Sequence, residues 1–481
     1  MPAGTRPILP SRPSKGNPGF HPIFSSPYPF CPAEGVNPGF PPSNPGMNQS
    51  FHVGKAYFAF SMLAVLANGN PPGLHAATAA ASDGNPAVIA INTLGLELLG
   101  KSAPPEANAL LSPYSIQSAL AMTYAGSDGQ TRAEMAKVLH FPENAPELDK
   151  GFKTLQQSLD EIAKTTAARA ARSKEDGGPG DPVTLTVANR LFGQKGCPFR
   201  APFLALVKDG YGAPLEELDF IKNASGATRV INIWVEAQTR QRIRDLIPPD
   251  ALTQDTRLVL ANAIYLKAPW AEEFSTQLTK PRPFHVRGGS QKNVPTMTRQ
   301  AHFGYGKQAE GFTAVTLPYS GGGLQLLILL PDDVNGLSAL EARLTPAVLA
   351  RCANLPTVEV VLDLPKFKIE PPVMRLSREL IALGAKTAFD IPKGSANFDR
   401  MAPRLPDKYL YISEVFHKTF LSLDEKGTEA AAATAVVMME ATAVREPREP
   451  VRVNVDHPFI FAIQHRASGA CLFLGRVTDP R

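Results

Sequence analysis

From Val183 to its end the chain returns repeatedly to apolar runs of strand length. Arg257–Leu266 (RLVLANAIYL) is apolar almost throughout, and Leu324–Leu330 (LQLLILL) nearly continuously so. Side chains of a strand point alternately to opposite faces, so strands of this kind must be covered on both. Val183–Phe192 (VTLTVANRLF) alternates instead, Val358–Ile369 reads as one further long strand, and Phe459–His465 with Ala470–Val477 supply two more at the C-terminus. Gly321-Gly322-Gly323 suits a hairpin turn entering Leu324. No Lys-Ser pair and helix follow it, which argues against a phosphate-cradling loop.

Helices come first. Ser115–Ala125 (SIQSALAMTYA) carries Ile116, Ala119, Leu120 and Thr123 on one face, with Pro113 just ahead as a start signal. Gln130–Leu139 reads as a second helix and Leu148–Lys164 as a third, with apolar residues spaced by three and four. Ser173–Pro182 (SKEDGGPGDP) reads as a surface loop between helix and strand. Helices followed by long strands predict an α+β protein built on large sheets, one domain spanning residues 87–481 without internal repeats.

Composition narrows the partners. A net charge of +5 over 481 residues, with the basic residues scattered, demands neither nucleic acid nor a membrane, and a monomer is expected. Lys150, Lys153, Lys164, Arg169, Arg172 and Lys174 lie on or after the third helix, diluted by Asp160 and Glu161, and read as a solvated face. Cys31, Cys197, Cys352 and Cys471 stand far apart with no C-x-x-C pair, and read as small buried apolar residues rather than a disulfide framework. No metal or cofactor is expected.

Residues 1–46 are rich in Pro and Gly, and Asn17-Pro18-Gly19-Phe20 returns as Asn37-Pro38-Gly39-Phe40. Such a stretch is a low-complexity tail or sequence ahead of the natural start. From Met47 come Lys55, the apolar run Ala56–Ala67 and the small residues His75–Ala81, a pattern resembling a secretory signal peptide over 47–81. It predicts a secreted or periplasmic protein; read as a buried helix instead, the segment would leave the protein cytoplasmic.

Several blocks, in order, resemble the serpin family. They are Asn108–Phe141, Asn232-Ile233-Trp234-Val235 with Thr239, Ile243 and Leu246-Ile247, then Thr256–Trp270 with Phe274, Thr279 and Phe284. Leu364–Glu370, Leu383-Gly384, Ala388-Phe389, Val453–Ile463 and Phe473–Val477 continue the match. The resemblance implies the serpin fold, helices packed around three β-sheets with an exposed C-terminal reactive loop at about 425–452.

The segment that decides function is Glu425–Glu440 (EKGTEAAAATAVVMME). Its alanines alone would make it a helix. As an extended chain, however, Thr428, Ala430, Ala432, Thr434 and Val436 form one small, uncharged face, and Glu429, Ala431, Ala433 and Ala435 the other, with its single charge at a solvent-side start. A strand that slides between two others needs such a face, and Gly427 can serve as its hinge. The stretch Glu425, Lys426, Gly427, Thr428, Glu429, Ala430, Ala431, Ala432, Ala433, Thr434 resembles the hinge of inhibitory serpins. That implies a suicide inhibitor of a serine protease and no catalysis of its own; a non-inhibitory carrier, storage protein or chaperone is the alternative.

Family spacing from the hinge points to cleavage between Ala441 and Thr442, with Glu440, Ala443, Val444 and Arg445 as other candidates. Fourteen residues from Thr428 to Ala441, at about 3.3 Å each, reach roughly 46 Å. Alanine at the cut suits an elastase-like or subtilisin-like target, whereas cleavage after Arg445 would imply a trypsin-like one. The resemblance also places Ser112, Ser115, Asn262 and His417 in a hydrogen-bonded cluster beneath the central sheet, Asn232 nearby, and Trp270 near the top where the loop enters. A serine and a histidine could suggest a hydrolase, but no G-x-S-x-G elbow exists and Ser112 stands before Pro113 at a helix start.

Overall fold

Ser112-Pro113 starts a helix for a local reason: the Ser112 Oγ accepts from the Ser115 N–H at 3.1 Å, and proline lacks the N–H that the first turn would leave unpaired. The computed structural model describes residues 85–142, 145–175, 181–286, 289–405, 408–429 and 449–481. The expectations for residues 1–84, and for the loop from Ala430 to Arg445 with its Ala441–Thr442 bond, lie outside them.

The first elements are α1 (Pro86–Ser102), β1 (Ala109–Leu111), α2 (Pro113–Gly126), α3 (Gly129–Val138) and α4 (Ala145–Glu175). Then follow β2 (Thr184–Gln194), α5 (Ala201–Ala205), β3 (Glu216–Leu218), α6 (Phe220–Gln238) and β4 (Leu258–Pro269). The middle holds β5 (Lys280–His285), β6 (Gln291–Gln308), β7 (Phe312–Pro318), β8 (Leu324–Pro331), α7 (Leu337–Arg343) and α8 (Pro346–Cys352). Next are β9 (Thr357–Pro365), β10 (Phe367–Ile369), β11 (Met374–Arg375), α9 (Ser377–Leu383), β12 (Glu414–Thr419) and β13 (Leu421–Asp424). β14 (Gly427–Thr428), β15 (Val451–Asn454), β16 (Phe459–His465) and β17 (Ala470–Val477) complete the chain.

Among the described residues the strands form two hydrogen-bonded sheets. One runs β1-β17-β16-β8-β7-β6-β9-β15, with β5 beside β6. The other runs β10-β13-β14-β4-β12-β11, with β2 on β4 and β3 on β2. Where three sheets are expected from the resemblance, the long β6 pairs in turn with β5, β9 and β7 and so joins two of them into one.

β4 is the wall between two cores. Leu258, Leu260, Ile264, Leu266 and Ala268 face the main core, while Val259, Ala261 and Ala263 face a smaller one closed by Phe220, Ile231 and Val235 of α6. The sequence reading of β4 and β8 as strands covered on both faces therefore holds. β8 is buried along its whole length, and Gly321 and Gly322 turn into it with φ of 83° and 71°.

Two expectations need correction. α4 extends to Glu175, because alanine and charged residues with good helix propensity carry it beyond Lys164 into the stretch read as loop. Val358–Ile369 is not one strand. The chain breaks at Lys366, so that β9 belongs to the first sheet and β10 pairs with β13 in the second.

Cys352 and Cys471 are buried and Cys197 half-buried, all three as free thiols; burial pushes Cys352 up to about 11 and Cys471 up to about 12. Among the described residues no helix is long and apolar enough to cross a membrane.

The C-terminal strand is pinned by a charge. Arg476, 1% exposed, donates to Ala103, Pro104 and Ala107 carbonyls at 2.6, 2.7 and 3.0 Å and pairs with Glu341 of α7 at 2.7 Å. Removing one partner strands the others in a dry site. Arg476→Ala is expected to cost about 3–5 kcal/mol, with little recovery in Arg476→Lys, whose ammonium cannot span those acceptors; thermal melts of the variants check this.

Candidate functional site

β13 ends in a tight reversal, braced by a bond from the Lys426 N–H to Asp424 Oδ1 at 2.9 Å. Gly427–Thr428 then folds back antiparallel on β13, with Thr428 opposite Leu423. The far edge of this two-residue strand pairs antiparallel with the end of β4, Gly427 opposite Pro269 and Thr428 opposite Ala268. Further down, the same edge of β4 is occupied by β12, which runs parallel to it from Glu414 opposite Val259 to Thr419 opposite Ile264. One edge of β4 thus carries a fork: hinge above, β12 below.

Only glycine fits at the head of the fork. Gly427 has φ of 143°, and a Cβ there would lie 2.2 Å from the Ala268 carbonyl oxygen and 2.7 Å from Pro269 Cα. Trp270 closes the top. Its backbone N–H donates to Lys426 O at 2.9 Å, its indole Nε1–H to Asp424 O at 2.9 Å, and its ring stacks on Tyr319 at 4.6 Å. The Tyr319 hydroxyl meets Thr428 Oγ1 at 2.6 Å in a buried contact.

Glu425 anchors the turn, accepting from Lys366 Nζ at 2.7 Å and Thr279 Oγ1 at 2.8 Å. Burial works to raise its carboxyl, but these bonds outweigh that and hold it below the ordinary value. Lys366 is the residue at which β9 gives way to β10. Glu429 departs from expectation. Its side chain does not start a solvent face; it turns beneath the α6–β4 connection, 10% exposed, and ion-pairs with Arg242.

A row of polar side chains crosses the sheet below the fork. Asn189 of β2 opposes Asn262 of β4, which opposes His417 of β12. The His417 Nδ1–H donates to Asn262 Oδ1, and His417 Nε2 accepts the Ser112 N–H at 3.1 Å. Asn262 Nδ2 donates to Ser115 Oγ at 2.6 Å and to Asn189 Oδ1. Ser112 Oγ donates to Leu472 O at 2.6 Å, which ties the row to the other sheet. Each side chain of this row has a partner, and the imidazole is neutral because burial takes its pKa from 6.5 down to about 3.

The structure brings Ser112, Ser115, Asn262 and His417 together but not Asn232. Asn232 lies on α6, on the opposite face of the sheet, donating to Ile247 O at 2.9 Å and accepting the Ile247 N–H at 2.8 Å. Asn189, Tyr319, Lys366 and Arg242 were missed. Asn189 had a signal, an amide at a core-facing position of an apolar strand; the other three meet the site only through the fold.

Comparison with known proteins agrees with this geometry. The family model described as Serpin (serine protease inhibitor) matches residues 90–480. Leukocyte elastase inhibitor of Bos taurus is 37% identical over 385 residues, covering 78% of this chain and 94% of that protein. The crystal structure of Serpin48 from the insect Tenebrio molitor superposes with TM-score 0.68 at 31% identity, over 82% of this chain and 97% of that one. Human thyroxine-binding globulin in complex with its hormone gives 0.67 at 27%, over 82% and 99%.

The buried imidazole makes stability depend on pH with a fixed sign. Because the folded pKa lies below 6.5, the unfolded chain binds the extra proton between the two values. The contribution is fully present above pH 6.5 and is lost as pH falls toward about 3. His417→Gln, which cannot titrate, is expected to flatten the fall of the thermal midpoint between pH 6.5 and 4, relative to the parent; scanning calorimetry across that range measures it.

Proposed function

This chain belongs to the serpin family, and from that premise we propose that it is a suicide inhibitor of a serine protease, whose loop is cut and then drawn into the sheet at the β4 fork. One observation carries the reading: Gly427–Thr428 is already seated as a strand between β13 and β4.

Glu429 has φ of 49°, so the chain must become extended there for the pairing to continue. Each step along the loop moves one step back along β4, so continuation sets Thr434 opposite Asn262 and Met438 opposite Leu258, the first residue of β4. Thr428 and Ala268 share the main-core face, so Ala430, Ala432, Thr434 and Val436 follow on it, all small or β-branched. Ala431, Ala433 and Ala435 fall on the other face, toward the smaller core, and bring only methyl groups to it. Thr434 would part Asn262 from His417 and offer a hydroxyl to both, so the polar row loses one bond and regains others.

The chemistry belongs to the protease. Its serine attacks the Ala441 carbonyl, an ester forms, the Ala441–Thr442 peptide bond breaks and the Thr442 amine leaves. The uncut loop is tethered at both ends, to β4 and β13 through β14 and to β9 through β15. Cleavage releases that tether. Insertion then carries the acylated protease away before water completes the cycle. A small residue at the cut supports an elastase-like or subtilisin-like target, and the bovine relative, a leukocyte elastase inhibitor by name, points the same way. Export rests on the residues from Met47 to Ala81 alone.

The test is a protease-inhibitor complex that survives denaturing electrophoresis, with mass analysis of the released peptide beginning at Thr442. Nicking the loop should raise the thermal midpoint by about 10 °C or more, since about a dozen residues gain backbone partners worth ~1 kcal/mol each. A cleaved molecule that melts where the intact one does would instead be a carrier. Thr434→Arg, seven residues before the cut, is expected to leave cleavage intact and abolish the stable complex, because a guanidinium cannot enter the row unpaired.

A further inference from the structure

The connection between α6 and β4 crosses the seam that the loop must open, and two arginines on it straddle the fork. Arg240 and Gln241 adopt left-handed backbone, φ 50° and 62°, and the turn is held by bonds from Gln241 N to Glu236 O at 2.8 Å and from Arg242 N to Thr239 O at 3.0 Å. The kink aims Arg240 at the ring of Tyr265 on β4, 5.7 Å away, and Arg242 at the ring of Phe420, 5.9 Å away, between β12 and β13. Lys418 of β12 donates to Arg244 O at 2.7 Å, and Asn232 clamps Ile247, so the connection is fastened on both flanks.

Glu429 sits where these converge. Its N–H donates to Ser422 O at 2.8 Å, extending the pairing of β14 by one residue. Its side chain, 10% exposed, ion-pairs with Arg242, and among the described residues neither carboxylate oxygen has another hydrogen-bonding partner. It is the last hinge residue before the alanines, directly above the first β4–β12 pair that must separate, Ile264 with Thr419.

We infer that Arg242 is a positioning residue for insertion: it seats Glu429 at the fork, so that the loop begins each insertion with its register already chosen. The inference rests on the suicide-inhibitor reading. A largely buried carboxylate without its counter-charge is expelled toward water and takes the end of β14 with it. The alanines would then have to find the slot unguided, while the acyl-enzyme hydrolyses in competition. Arg242 touches no reacting atom, so its loss should change the partition between trapping and turnover rather than the rate of attack.

The experiment compares wild type, Arg242→Ala, Arg242→Lys, Glu429→Gln and the Arg242→Ala/Glu429→Gln double variant against a pancreatic-type elastase. It measures the association rate, the ratio of cleaved inhibitor to covalent complex, the thermal midpoint and amide exchange at Thr428 and Glu429. Arg242→Ala is expected to raise the cleaved-to-complex ratio about fivefold, the scale of one charge-assisted bond, with association rate and midpoint unchanged. Amide exchange at Glu429 should quicken. Lys should restore part of the partition, and the double variant should be no worse than either single one.

An unchanged ratio and unchanged exchange in Arg242→Ala overturn the inference, as does a fall in midpoint that Lys fails to relieve, which would mark a merely structural residue. If wild type itself forms no complex, the function proposed above fails. Hinge seating is then judged by exchange alone, and equal exchange in wild type and Arg242→Ala overturns it.

Discussion

A strand edge offers each of its N–H and C=O groups to one neighbour at a time, and the arrangement here follows from how β4 divides that edge. Its lower part is bonded to β12 in parallel, its upper end to Gly427–Thr428 antiparallel. Both sides of the fork are buried, so none of these groups can turn to water if a partner leaves. The seam can open only if another strand supplies the same pattern of bonds as it parts. Two cores, one on each face of β4, hold the wall in place.

The side chains along the seam suit such an exchange. Asn189, Asn262, His417, Ser112 and Ser115 are short-reach groups that can donate or accept in more than one geometry, and none carries charge at neutral pH. Breaking one bond in such a row costs far less than parting a buried ion pair. The charges of the site are confined to its upper end, where Glu425 with Lys366 and Glu429 with Arg242 fix the turn and the first hinge residues.

Much of this was legible in the sequence, for identifiable reasons. Continuous apolarity gave β4 and β8, because two-sided burial leaves no polar positions. The alternation of small residues after Gly427 falls from Ala430 on outside the described residues; only its first member, Thr428, is seen paired with Ala268. What could not be read was long-range. Lys366 looked like an interior strand residue, and only the crossing of β9 into β10 shows why the chain breaks there. Glu429 looked solvent-bound since alternation names two faces without saying what covers them; α6 and its connection cover the second. Asn232 belongs to the same family-like block as its neighbours yet braces the loop that presents Arg242, a placement set by the packing of α6.

The three thiols described with the fold bear on what holds it together. Cys352 and Cys471 are sealed in apolar surroundings that disfavour thiolate, and among the described residues no two thiols are joined. The described packing therefore holds without a sulfur–sulfur bond, and removing either buried sulfur would be felt as a lost apolar contact rather than as a lost staple.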